Sequence, residues 1–164
     1  MEIDMDRKRM AFNGMINSLT QEFYFLDPQV KMRLFEIYTQ SFYGSNPWNL
    51  FGPNCERIYK AHNVTVRQTF NLPRKTHRYL IEAVSECIHP EVFLSSRFVK
   101  FDNSLKNCKK SSIRILSKLY KNDLRTIYGK NLAEISNVCN VPIQDLTSCL
   151  VKNVMMYYPV PLNE

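Results

Sequence analysis

The sequence predicts an all-α fold, a compact domain of six or seven helices with no sheet. Its apolar residues recur at spacings of three and four, the period of a helix face, and not in alternation. The chain carries only four glycines in 164 residues, few for a protein built on tight β-turns. Several prolines stand where helices begin, at Pro28, Pro90 and Pro142. Apolar residues make up 45% of the chain, enough to bury a core at this length, so residues 1–164 read as one folded domain.

Taken in order, residues 4–25 place Phe12, Ile16, Leu19 and Phe23 on one stripe of an amphipathic helix, which Gly14 weakens slightly. Asp27 followed by Pro28 is a capping carboxylate before a proline suited to the first helical position. The helix it opens is expected to bury Val30, Leu34, Ile37 and Ser41, to carry Phe35 and Phe42 on an adjoining face, and to end near Gly44. Residues 43–53, dense in glycine, proline and aromatics, read as an ordered loop with Trp48 and Phe51 packed inward. The next helix turns Ile58, Ala61, Val66 and Phe70 inward and stops at Leu72-Pro73. Thr76 is placed to cap a short helix from His77 to about Ser85, so two helices meet at a tight elbow.

Pro90 starts a helix with Leu94, Phe98, Phe101 and Leu105 in a stripe. Ser111 or Ser112 is placed to cap the next one, with Ile115, Leu116 and Leu119 inward and Arg114, Lys118 and Lys121 outward. A loop over residues 122–131, a short helix over 132–138 and a last helix from Pro142 follow; the last bears Ile143, Leu146, Leu150, Val154 and Tyr157 on one face. Pro159-Val160-Pro161 ends the fold.

The net charge is +7, and its placement is more telling than its size. Residues 57–81 hold Arg57, Lys60, Arg67, Arg74, Lys75 and Arg78 with no acidic residue. Residues 97–130 hold ten basic residues against only Asp102 and Asp123. The remainder is net acidic, so the basicity is confined to two blocks, a pattern that favours a nucleic-acid face. The expected phosphate contacts are Arg57, Lys60, Arg67, Arg74, Lys75 and Arg78, then Lys100, Lys106, Lys109, Lys110, Arg114 and Lys118. His77, between Lys75 and Arg78, is a further candidate phosphate donor, though an imidazole bridging helix-end carbonyls at the elbow is the favoured role. Tyr59, Tyr79 and Tyr120 are candidates for stacking on bases.

Other chemistries find little support. The five cysteines are odd in number and widely spread, and Cys87-x-His89 is an isolated pair, so neither a disulfide framework nor a metal site is expected. No G-x-x-x-x-G-K loop is present, and no cluster of carboxylates stands near the basic blocks to hold paired divalent ions. The expectation is therefore a non-enzyme without cofactor, intracellular, and not membrane-bound.

Several segments in order resemble the thumb and following helical region of the reverse transcriptases of non-LTR (LINE-type) retrotransposons. These are FYFLDPQVKMRLFEIY over residues 23–38, Tyr43-Gly44-Ser45 with Trp48, Lys60-Ala61 with Arg67, and Leu72-Pro73. Thr76-His77 with Tyr79-Leu80, Arg97-Phe98-x-Lys100-Phe101, and Asp123-x-Arg125 with Gly129-x-Asn131-Leu132 and Ile135 complete the series. The likeness spans roughly residues 7–136. Pro47 and His62 depart from it, the latter standing where the family often carries tryptophan. The resemblance implies a non-catalytic helical module that holds RNA or an RNA–DNA duplex through its phosphates. The alternative expectation is a protein-interaction module, or a domesticated or truncated remnant, docking or self-associating through an exposed apolar patch around Phe12, Phe42 and Trp48.

Overall fold

The computed structural model of the protein describes residues 2–39, 42 and 44–157, with side chains described for 5–37, 42 and 44–154. Among these residues there are eight α-helices, one 3-10 turn and no strand, so the all-α class holds and the helix count exceeds six or seven. The helices are α1 (Glu2–Glu22), α2 (Pro28–Thr39), α3 (Pro53–Thr69), α4 (Arg78–Ser85), α5 (Pro90–Lys106), α6 (Ser111–Lys121), α7 (Ile127–Cys139) and α8 (Ser148–Tyr157). The chain divides into two compact units, Met1–Tyr43 with Pro53–Pro90, and Gly44–Gly52 with Glu91–Glu164.

In the first unit α1 buries Phe12, Ile16 and Leu19, as their spacing predicts, together with Met5; Phe23, the fourth residue of the expected stripe, lies past the helix end and is half-buried. The Asp27 carboxylate accepts the Gln29 N–H at 2.8 Å and so caps α2. The face α2 buries is not the expected one. Met32 and Phe35 are inside, while Val30 and Ile37 are 47% and 68% exposed. The reason lies in α1: Phe12 meets Phe35 edge-on at 5.4 Å and stacks on Phe42 at 6.0 Å, so the aromatic row, not the aliphatic one, is drawn inward. Ser41 lies outside the described residues, and α2 ends at Thr39, short of Gly44. On α3 the buried set is Cys55, Ile58, Tyr59, His62, Asn63, Thr65 and Val66. Phe70 is only half-buried.

The second unit is organised on Trp48, which is fully buried, as a tryptophan in a proline-rich ordered loop suggests. The Asn131 side chain donates to the Trp48 carbonyl at 2.7 Å and accepts the Leu50 N–H at 3.1 Å, satisfying a loop backbone that has no helix or sheet to pair with. Leu94 and Phe98 of α5, Leu132 and Ile135 of α7, and Leu146 and Val151 close the core. α7 starts at Ile127, well before residue 132, because Thr126 caps it through the Gly129 N–H. A Cβ on Gly129 would lie 2.3 Å from the Asp123 carbonyl oxygen, so only glycine permits that turn of α7 to close on the preceding loop. Pro142 opens a single 3-10 turn, Ile143–Asp145, and not the last helix. The last helix is α8, entered through Thr147, whose hydroxyl accepts the Leu150 N–H at 3.2 Å. The Pro159-Val160-Pro161 tail lies outside the described residues.

Candidate nucleic-acid interface

The elbow between α3 and α4 is fixed by backbone chemistry. Leu72 N–H reaches the Arg67 carbonyl at 2.8 Å and Phe70 N–H the Val66 carbonyl at 3.0 Å, while Asn71 takes the left-handed conformation at φ 51°. This is a helix terminus of the Schellman type with asparagine at the left-handed position. Pro73 to Thr76 then form a turn, closed by the Thr76 N–H and hydroxyl, both donating to the Pro73 carbonyl. Thr76 is thus spent on the turn and does not cap α4. His77 holds the N-cap position, without a side-chain cap.

Of the cations expected in this block, two belong to the scaffold. Arg67 donates to the Thr76 carbonyl at 2.8 Å and braces the elbow from behind. The Arg78 guanidinium bonds Glu82 at 3.0 Å and the His89 Nδ1 at 3.1 Å, with 13% of its side chain exposed. Its acidic partner, Glu82, lies one residue beyond the acid-free stretch of residues 57–81, one turn further along α4. Lys60 is exposed but pairs with Glu56 on α3 at 2.8 Å. Arg57 is exposed, yet it lies ten residues before Arg67, about 15 Å along the helix, and so stands apart from the elbow.

Three candidates do come together. Arg74 and Lys75 project from the turn, exposed and in no ion pair among the described residues, and His77 follows them, also exposed. The His77 ring stacks on Tyr79 at 5.8 Å with an interplanar angle of 15°, and so does not bridge helix-end carbonyls. Tyr79 is 58% exposed. Tyr59, by contrast, is buried and packs against His89 in the core, which removes it as a stacking residue.

The second block lies in the second unit. Lys106 reaches the buried Asp102 at 2.6 Å, and the Tyr128 hydroxyl donates to the same carboxylate. Burial, and then this carboxylate, push the Tyr128 hydroxyl above its usual range. Lys121, expected outside, is partly buried beside Lys106; burial first and the neighbouring ammonium second hold it below the usual lysine range. Lys106 is therefore a structural cation. Lys100, Lys109, Lys110, Arg114 and Lys118 are exposed, with no ion pair among the described residues.

Among the described residues no three metal-ligating side chains cluster. The Cys55 and Cys87 thiols are pushed up to about 12, by burial above all, which leaves them inert as nucleophiles at neutral pH. No described helix is long and apolar enough to cross a membrane. Comparison of the chain with protein-family models, with curated proteins and with solved structures gives no match.

Proposed function

We propose that the protein is a non-catalytic nucleic-acid-binding module, similar in role to a retroelement thumb, with the α3–α4 elbow as its primary contact. One observation carries the reading: the turn displays Arg74 and Lys75 without acidic partners, immediately before the exposed, stacked rings of His77 and Tyr79. Two cations suit adjacent phosphates, and an open aromatic face beside them suits an unpaired base or a strand end. The asparagine terminus of α3 and the Arg67 brace hold these groups on a rigid turn, so little side-chain and loop entropy is lost on binding. RNA or an RNA–DNA hybrid is the ligand class, on the likeness over residues 7–136. Arg57 and Lys60 on α3, and Lys100, Lys109 and Lys110 in the second unit, are secondary contacts. Arg67, Arg78 and Lys106 are assigned to the scaffold.

Fluorescence anisotropy with labelled single-stranded RNA, duplex RNA and an RNA–DNA hybrid at two salt concentrations tests this. Binding on the order of micromolar is expected at low salt, with log K falling against log salt at a slope of about −2 to −3 for three or four phosphates. Arg74→Glu with Lys75→Glu should abolish it, and Tyr79→Ala should weaken the single strand more than the duplex. No binding at low salt, or binding indifferent to the elbow charges, would sink the reading.

A further inference from the structure

The elbow leaves the most unusual surface of the molecule unused. On α6 the only buried residue is Ser117. Ile115, Leu116, Leu119 and Tyr120 are 57%, 50%, 66% and 47% exposed, and Leu124 just beyond is 59% exposed. The spacing of the three aliphatics predicts an inward face, but the helix is turned so that all three are exposed. At 100° per residue, Ile115 and Leu119 fall roughly opposite Ser117 and Leu116 about 100° to one side, so the apolar ridge points away from the body. Phe12, Phe42 and Trp48, the expected exposed patch, are all within the cores. An apolar row of this size in water is the signature of a contact surface.

The charges around the ridge say what covers it. Arg114 and Lys118, one turn apart, line one edge; Leu116 and Tyr120 line the other, and α6 contains no acidic residue. An antiparallel second copy would set Arg114 and Lys118 against their own counterparts, which like-charge repulsion opposes. A bilayer offers both edges the same anionic field, whereas these cations stand on one edge only. A nucleic acid would satisfy the cations and leave the leucines in water. We propose that α6 docks an acidic amphipathic helix of a partner protein, whose apolar stripe covers Ile115, Leu119 and Leu116 and whose carboxylates meet Arg114 and Lys118. This stands independently of the elbow reading and takes Arg114 and Lys118 as partner contacts in place of phosphate contacts.

The test uses the full chain, a synthetic amphipathic helical peptide with leucines on one face and glutamates on the other, and a counterpart with lysine for glutamate. The acidic peptide should bind about tenfold tighter than the basic one, because exchanging glutamate for lysine turns two modest exposed attractions, at Arg114 and Lys118, into two repulsions. Leu119→Ser should remove the binding while leaving thermal stability and elbow-dependent RNA binding unchanged, since the residue is exposed. Arg114→Glu with Lys118→Glu should invert the peptide preference. Equal binding of both peptides, or acidic binding untouched by Leu119→Ser, overturns the proposal. So does α6-dependent sedimentation with vesicles of phosphatidylserine and phosphatidylcholine in the absence of peptide, which would mark a membrane surface. An α6-dependent dimer in analytical ultracentrifugation would overturn it in favour of a second copy.

Discussion

Arg74 and Arg78 are four residues apart and serve different ends. Arg78 is nearly buried against Glu82 and His89, so removing its guanidinium strands a carboxylate that is 14% exposed. Arg78→Ala should cost about 1–3 kcal/mol in urea denaturation followed by circular dichroism, the range for a lost hydrogen bond to a charged group. Arg74→Ala should change stability by less than about 0.5 kcal/mol and instead weaken RNA binding. If Arg78→Ala proved stability-neutral and binding-defective, the division of the elbow cations into brace and contact would be wrong. The Arg78–Glu82 pair is an i,i+4 spacing on α4 and so was legible in principle, whereas the Arg67 bond to the Thr76 carbonyl exists only because the turn folds the chain back. The roles of Asp27 and Trp48 were legible, because a local rule fixes each: a carboxylate before Pro28, and a lone tryptophan in a proline-rich loop.

At the scale of the element, helix existence was written in the periodicity, and helix rotation was not. α2 has two candidate apolar faces, and the ring of Phe12 on the neighbouring helix selects the one with Phe35, whereas α6 leaves its apolar row exposed. The start marked by a carboxylate and a proline, Asp27-Pro28, lies where it is expected and Pro142 opens only a 3-10 turn, while Thr126, within the apparent loop over residues 122–131, caps α7 with no such mark. α6 departs from helix-end rules at its N-terminus, though Lys118 and Lys121 in its last turn obey them. Its N-cap is Lys110, with no side-chain cap, and its first turn holds no acidic residue. A cation at that end opposes the helix dipole. Lys110→Asp should therefore supply a cap and a favourable charge, stabilising the protein by about 0.5–2 kcal/mol in denaturant titration. A loss of stability on that substitution would show that the α6 terminus is satisfied by some other means.

For the molecule as a whole, acid is the most informative perturbation, because all three histidines, His62, His77 and His89, lie in the first compact unit. His62 is fully buried between Phe35 and His89, at 5.6 Å and 5.1 Å from their ring centres, and its ring nitrogens have no hydrogen-bond partner of good geometry, only the Asn63 side chain standing near. Burial lowers it from 6.5 to about 4, with the Arg78 charge a lesser cause. His89 is also held well below its usual value, by burial first and then by His62 and Arg78. Above pH 6.5 both states of the chain carry neutral imidazoles and the effect vanishes. Below it, the unfolded chain takes up protons that the folded core refuses, so stability falls with pH until about pH 4, where the folded His62 also titrates. The full loss from His62 is on the order of 3 kcal/mol, with His89 adding to it. His62→Phe fills the same aromatic site without a titrating group, so its stability profile between pH 7 and pH 4 should be visibly flatter than that of the parent chain. Equilibrium urea denaturation at half-unit pH steps reads this directly, and hydrogen exchange in α3 reports whether the lost protection begins around His62. Parallel profiles for the two proteins would mean that His62 is charged or solvated in the fold, and that the core drawn here around Phe35, Tyr59 and His89 is incorrectly packed.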